Sequence, residues 1–180
     1  MIRDFDYYST CFMDLRTAKI KGFCAPHKPL LLLSVIDLVE RGVIDSNCIE
    51  LSDALVRTFD ANTKKYIGVS MIFKPNIGQP FYHMQNEPFW HLVESVYGQS
   101  MAAESIEEYK KKTVVYSLGR LRSDYVYAQI DQELFELLQD QTVRARLRVL
   151  LISKYFTVLP SVIMPMVVLP LGVTLLSVIA

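Results

Sequence analysis

Apolar residues recur at helical spacing at the start of the chain. Phe5, Tyr8, Phe12 and Leu15 fall on one side of an amphipathic helix expected to end near Lys21–Gly22. After a loop over Phe23–Lys28, the run Leu30–Leu31–Leu32–Leu33 opens a very apolar helix from Pro29 to about Arg41, stopped by Gly42. Val43–Leu51 reads as a turn and a short strand. Ser52 is placed to cap a helix through about Lys65, with Leu55, Val56 and Phe59 on its inner side. Gly68, Pro75, Gly78 and Pro80 break Ile67–Pro80 into an irregular loop. Phe81–Met84 and Phe89–Val93 are expected to pair as a short hairpin. Ala103–Lys112 reads as a charged, exposed turn or helix. Asp131 is placed to cap Gln132–Gln139, and Thr142 to cap a last helix through Arg148 to about Tyr155. The predicted fold class is α+β, mostly α-helical, with a small antiparallel β element.

The pattern changes at the end of the chain. From Tyr155 to Ala180 there is no charged residue and no histidine, which lifts the apolar fraction to 51% against 21% charged and the mean hydropathy to +0.22. The sequence divides into a domain over 1–156 and an apolar tail over 157–180. At about 1.5 Å per residue the tail is long enough to cross a bilayer. Pro160, Pro165 and Pro170 oppose a single helix, since an interior proline costs roughly 3 kcal/mol. A membrane anchor, a buried or partner-covered segment and a truncated end remain open for the tail, and membrane association of the whole is not the expectation.

Nineteen basic and nineteen acidic residues cancel, so net charge selects no partner and local distribution matters more. Arg16, Lys19, Lys21 and Lys28 occur with no acid among them, and Lys64, Lys65 and Lys74 form a second basic group, while Glu104, Glu107 and Glu108 gather elsewhere. Cys11, Cys24 and Cys48 are odd in number, and Met1–Ile2–Arg3–Asp4 leads into mixed polar and aromatic residues rather than a secretory core. Reduced thiols in a bacterial-type cytoplasm follow as the expectation.

Ala25–Pro26–His27–Lys28–Pro29 sets a histidine and a lysine between prolines at the mouth of the apolar helix. Pro29 suits a first helical position, since its φ is already helical and its missing donor would be unpaired there. Free amides of a first turn and the helix dipole attract anions, and His27 and Lys28 add donors, so this mouth reads as a phosphate clamp. A second shaped stretch runs Lys74–Pro75–Asn76–Ile77–Gly78–Gln79–Pro80–Phe81–Tyr82–His83, followed by Pro88–Phe89–Trp90–His91–Leu92. Its aromatics are most simply core residues. A rigid pyrrolidine edge beside the polar Gln79 and His83 suits a binding surface better.

Together these stretches resemble the DNA sulfur-binding domain of the ScoMcrA type, which precedes an HNH nuclease domain in phosphorothioate-dependent restriction enzymes. The resemblance runs from about Phe12 to Phe156. It also takes in Ile49–Glu50–Leu51, Ser117–Leu118–Gly119–Arg120–Leu121–Arg122 and Asp131 through Leu138. It implies double-stranded DNA as partner, with a phosphorothioate in the backbone as the recognised group. His27 and Lys28 would hold phosphate oxygens, with Lys19, Lys21, Arg120 and Arg122 as further phosphate-contacting cations. Gln79, Pro80 and His83, with Tyr82 beside them, would form the cup for sulfur. Two positions depart from the family: Gln79 stands where an aromatic residue is frequent, and Lys28 where some members have arginine, which replaces a bidentate fork by a point charge.

No catalytic motif accompanies this reader. The region after Phe156 has neither the histidines nor the cysteines of an HNH module. Cys24 and His27 lie three apart without a matching pair, so no metal and no cofactor are expected. Glu108–Tyr109–Lys110 has a nuclease-like Glu-x-Lys form but no upstream Pro-Asp, and no phosphate-binding Gly-rich loop or nucleophile elbow is present. Arg120 and Arg122 are equally well placed for phosphate or for solvent, and Arg144, Arg146 and Arg148 read as a solvated face. A separate HNH subunit making a split nuclease, a homodimer, and a membrane-tethered interaction module are the alternative assemblies.

Overall fold

The computed structural model describes residues 3–20, 23–68, 76–96 and 117–156. Helix α1 (Phe5–Met13) is capped by the Asp4 carboxylate, which accepts from the Tyr7 N–H. It ends well before Lys21–Gly22, and Lys19–Ile20 (β1) instead pairs antiparallel with Phe23–Cys24 (β2). Helix α2 (His27–Glu40) is the centre of the molecule: every residue from Lys28 to Ile36 is buried. A helix apolar on all sides needs partners on all sides, and α2 packs against α3 (Asp53–Tyr66), α4 (Gly78–His83) and α7 (Gln141–Tyr155). Its end is the one expected: Gly42 takes φ +65°, its N–H bonds Val39, and Val43 N–H reaches back to Leu38. This double closure satisfies carbonyls that the helix itself leaves open.

Ser52 caps α3 by accepting from the Leu55 N–H. Leu55 and Phe59 turn inward, and Asn62 bridges to α2 by donating to Ser34 Oγ at 3.1 Å and Asp37 Oδ2 at 2.8 Å. The small sheet has the order β3–β5–β4, all antiparallel, with β3 at Cys48–Ile49, β4 at Trp90–Glu94 and β5 at Tyr125–Ile130. The expected hairpin between Phe81–Met84 and Phe89–Val93 does not form. Gly78–His83 is helix, Met84–Asn86 is a 3-10 turn, and β4 pairs with β5, which lies beyond α5 (Leu118–Asp124). The Phe81 and Phe89 aromatics are nevertheless core: Phe81 meets Trp90 edge-on at 5.6 Å, and Phe89 packs 5.4 Å from Phe12.

Asp131 precedes α6 (Gln132–Leu137) but does not cap it with its side chain. Its buried carboxylate instead accepts from Tyr8 Oη at 2.9 Å and from Arg3 at 2.7 Å, with His91 Nε2 at 3.3 Å. Asp140, not Thr142, caps α7, accepting from the Thr142 and Val143 N–H groups. Of the three arginines expected to form a solvated face on α7, Arg146 is exposed, whereas Arg144 and Arg148 are half-buried and tied into the fold. Arg148 grips Asp37 and Glu40 of α2, Arg144 donates to the Leu138 and Gln139 carbonyls, and Arg146 stacks 3.8 Å from the Phe5 ring centre. The fold is therefore α+β and mostly helical, with a three-stranded antiparallel sheet. Cys11, Cys24 and Cys48 are free thiols. Among the described residues no helix is long and apolar enough to cross a membrane. Lys21, the Ile67–Pro80 loop between 69 and 75 including Lys74, Ala103–Lys112 with Glu108–Lys110, and the tail 157–180 lie outside the described residues.

Candidate nucleic-acid interface

The two stretches singled out by sequence meet on one side of α2. Helix α2 begins at His27, after Pro26, which places Pro29 at its third position rather than its first. Proline is still tolerated there, because an N–H in the opening turn has no carbonyl to bond within the helix. Helix α4 begins where the Asn76 side chain accepts the Gly78 N–H at 2.8 Å, and it packs directly on α2. Along α4 the faces divide cleanly. Gly78, Pro80 and Phe81 are buried, whereas Gln79 and His83 are exposed and Tyr82 is half-buried. Pro80 therefore packs beneath the surface and is not the free pyrrolidine edge expected from the sequence.

His83 is close enough to Lys28 for the ammonium to disfavour its imidazolium. Partial burial acts first and more strongly, and both hold its pKa below the usual histidine value. His27 is half-buried, and desolvation likewise lowers its pKa. At neutral pH both rings favour the neutral form. Tyr82 lies between His83 and Tyr125, with ring centres 5.4 Å and 6.0 Å away. Burial, with the neighbouring Tyr82 next, pushes the Tyr125 phenol well above its ordinary pKa.

Lys28 itself is not a surface clamp. Its side chain is 7% exposed and its ammonium is bonded to Oε1 of Glu87, whose side chain is 4% exposed. The same carboxylate oxygen accepts the backbone N–H of Arg16 at 3.1 Å. Glu87 thus joins the start of α2, the turn after α4 and the chain just before β1. It was missed in the sequence, although a signal exists: it is the lone acid between Lys74 and Val93. An acid embedded among so many apolar and aromatic residues is most often one with a buried partner.

The remaining predicted cations separate into two groups. Arg120 pairs with Asp124 at 2.7 Å, and Arg122 donates to the Leu51 carbonyl and to Asp53, each at 2.7 Å. The first pair lies within α5, and the Arg122 contacts tie α5 to the Leu51–Asp53 segment at the start of α3. Arg122 and Phe81 share an open surface depression with Glu50, Ser52 and Tyr125. Arg16 and Lys19 are exposed and lie next to the α2 mouth, through the Glu87 link and the β1–β2 pairing. No cluster of three metal-ligating side chains occurs among the described residues. The face combines exposed cations with exposed polar side chains beside a buried ion pair, an arrangement that can hold an anionic backbone. No protein-family model matches the chain, and no curated protein matches it.

Proposed function

We propose that this chain is a non-catalytic reader of duplex DNA that prefers a phosphorothioate in the backbone. The single observation that carries the reading is convergence. The His27–Lys28 helix mouth and the Gln79–His83 helix, far apart in sequence, pack together closely enough for Lys28 to act on His83. The resemblance over Phe12–Phe156 points to the same two stretches.

In this reading, phosphates are gripped by the exposed cations before and within β1, and the modified linkage lies over α4. A sulfur in place of a non-bridging oxygen is larger and less strongly hydrated, so it loses less on leaving water. Burying roughly 30–40 Å² of it at about 25 cal/mol/Å² supplies about 1 kcal/mol. The stronger discrimination comes from the hydration an ordinary oxygen must give up. Gln79 and His83 are the exposed polar groups of α4 that would flank such a linkage, with Tyr82 beside them and Pro80 fixing the backbone from below.

Fluorescence anisotropy with plain and phosphorothioate duplexes tests this. Both duplexes should bind at low salt, the modified one more tightly, and affinity should fall steeply with salt. Absence of binding at low salt removes the reading. Equal affinity for the two duplexes removes the sulfur preference alone.

A further inference from the structure

Arg16 is exposed, yet its backbone is held from both sides by buried side chains remote in sequence. The preceding N–H, of Leu15, donates to Tyr155 Oη at 3.2 Å, and that hydroxyl shares its one proton between the Phe12 and Met13 carbonyls. The N–H of Arg16 itself donates to Glu87, on the oxygen that also receives Lys28. Backbone in an exposed loop is ordinarily satisfied by water. Here an irregular segment is anchored to the last helix on one side and to the α2–α4 junction on the other. Such anchoring limits where the Arg16 side chain begins and leaves its charged end outside. Further along the same segment, the Ala25 N–H donates to the Ala18 carbonyl at 2.7 Å, which continues the restraint into β1–β2.

We propose that Arg16 is the phosphate-contacting cation of this face, and that Lys28 and Glu87 are positioning residues that act through it. The inference rests on the DNA-binding reading above and names the residue that makes the contact. Lys28 is unsuited to direct contact for two reasons. Its charge is already matched by Glu87, and a phosphate drawing it outward would strand a buried carboxylate, an outcome that is strongly unfavourable. Arg16 meets neither obstacle. Its guanidinium offers a planar fork that fits two phosphate oxygens at once.

The test is a salt series of anisotropy titrations on a plain and a phosphorothioate duplex, with circular dichroism on each variant. Arg16→Ala should weaken both duplexes together and flatten the slope of log affinity against log salt by about 0.9, the loss of one phosphate contact. Arg16→Lys should restore the slope while recovering only part of the affinity. The paired change Lys28→Gln with Glu87→Gln removes both charges but keeps an oxygen to accept the Arg16 N–H, so a folded double variant should keep the wild-type slope. An unchanged slope in Arg16→Ala overturns the proposal, as does a slope lowered by about 0.9 in the folded double variant. If the double variant does not fold, the two Arg16 variants decide alone. Failure of the wild-type protein to bind either duplex overturns the DNA-binding reading and the proposal with it, and differs visibly from a failure of the slopes.

Discussion

Lys28 and Glu87 meet below the surface, and neither side chain has enough exposure for water to replace the other. Removing one partner leaves an uncompensated charge in a site built for two, a change that costs about 3–5 kcal/mol in comparable buried pairs. Lys28→Ala and Glu87→Ala should each lower stability by about that amount in urea denaturation. Lys28→Ala combined with Glu87→Ala should cost clearly less than the sum of the two, because it leaves no orphaned charge. An additive result would show that the pair is not coupled. The sequence made Lys28 look free because no acid stands near it in the chain; its partner lies 59 residues on. Periodicity and local composition carry no information about contacts of that range. Gln79 and His83 were legible as a surface because each sits beside a proline or in a stretch too irregular for simple core packing, whereas His27, also beside a proline, is half-buried. Pro80 was not legible, since burial of a proline inside a short helix depends on α2 arriving above it.

The Ser52 cap and the Gly42 stop were legible from local signals, whereas the caps assigned to Asp131 and Thr142 and the partner of the Trp90–Glu94 strand were not. Helix α3 begins at its capping serine and α2 ends at its positive-φ glycine, because both signals act within a few residues of themselves. The strand at Trp90–Glu94 was placed correctly but given the wrong partner. Its true neighbour is β5, and the pairing runs from Trp90 opposite Ile130 to Glu94 opposite Tyr125, with an irregularity between Val93 and Glu94. Nothing in an isolated strand names its neighbour, so the nearest apolar run, Phe81–Met84, looked like the mate. The caps give a direct check of local causes. Ser52→Ala should destabilise the fold by about 1 kcal/mol, the usual loss for a serine N-cap. Asp140→Ala should lower the melting temperature while Thr142→Ala leaves it nearly unchanged, since only the aspartate side chain accepts from the first turn of α7. The reverse order of effects would return the capping role to Thr142.

Across the whole molecule, α7 closes the fold as a strap over α1 and α2, and the half-buried His27 and the exposed His83 link that fold to pH. Arg148 spans Asp37 and Glu40, Tyr155 ties the end of α1, and Asp131 gathers Arg3, Tyr8 and His91 at the sheet end. Burial pushes the Tyr155 phenol up to about 12, so this tether keeps its proton throughout the neutral range. His27 and His83 behave differently. Both have folded-state pKa values below the ordinary 6.5, His27 from burial alone and His83 from burial followed by Lys28. Between the depressed value and 6.5 the unfolded chain binds more protons than the folded one, so stability must rise with pH across that window and fall as pH drops through it. Carboxylates held below their usual range, such as Glu40, contribute only at lower pH. Denaturation midpoints should therefore fall as the pH is lowered from about 7 to about 5.5, and His27→Gln should flatten part of that fall. DNA binding should run the other way. A phosphate over α4 favours the protonated ring of the exposed His83, so affinity should increase over the same interval, and His83→Gln should abolish the increase without abolishing binding. Affinity that declines together with stability would mean that His83 does not face the backbone.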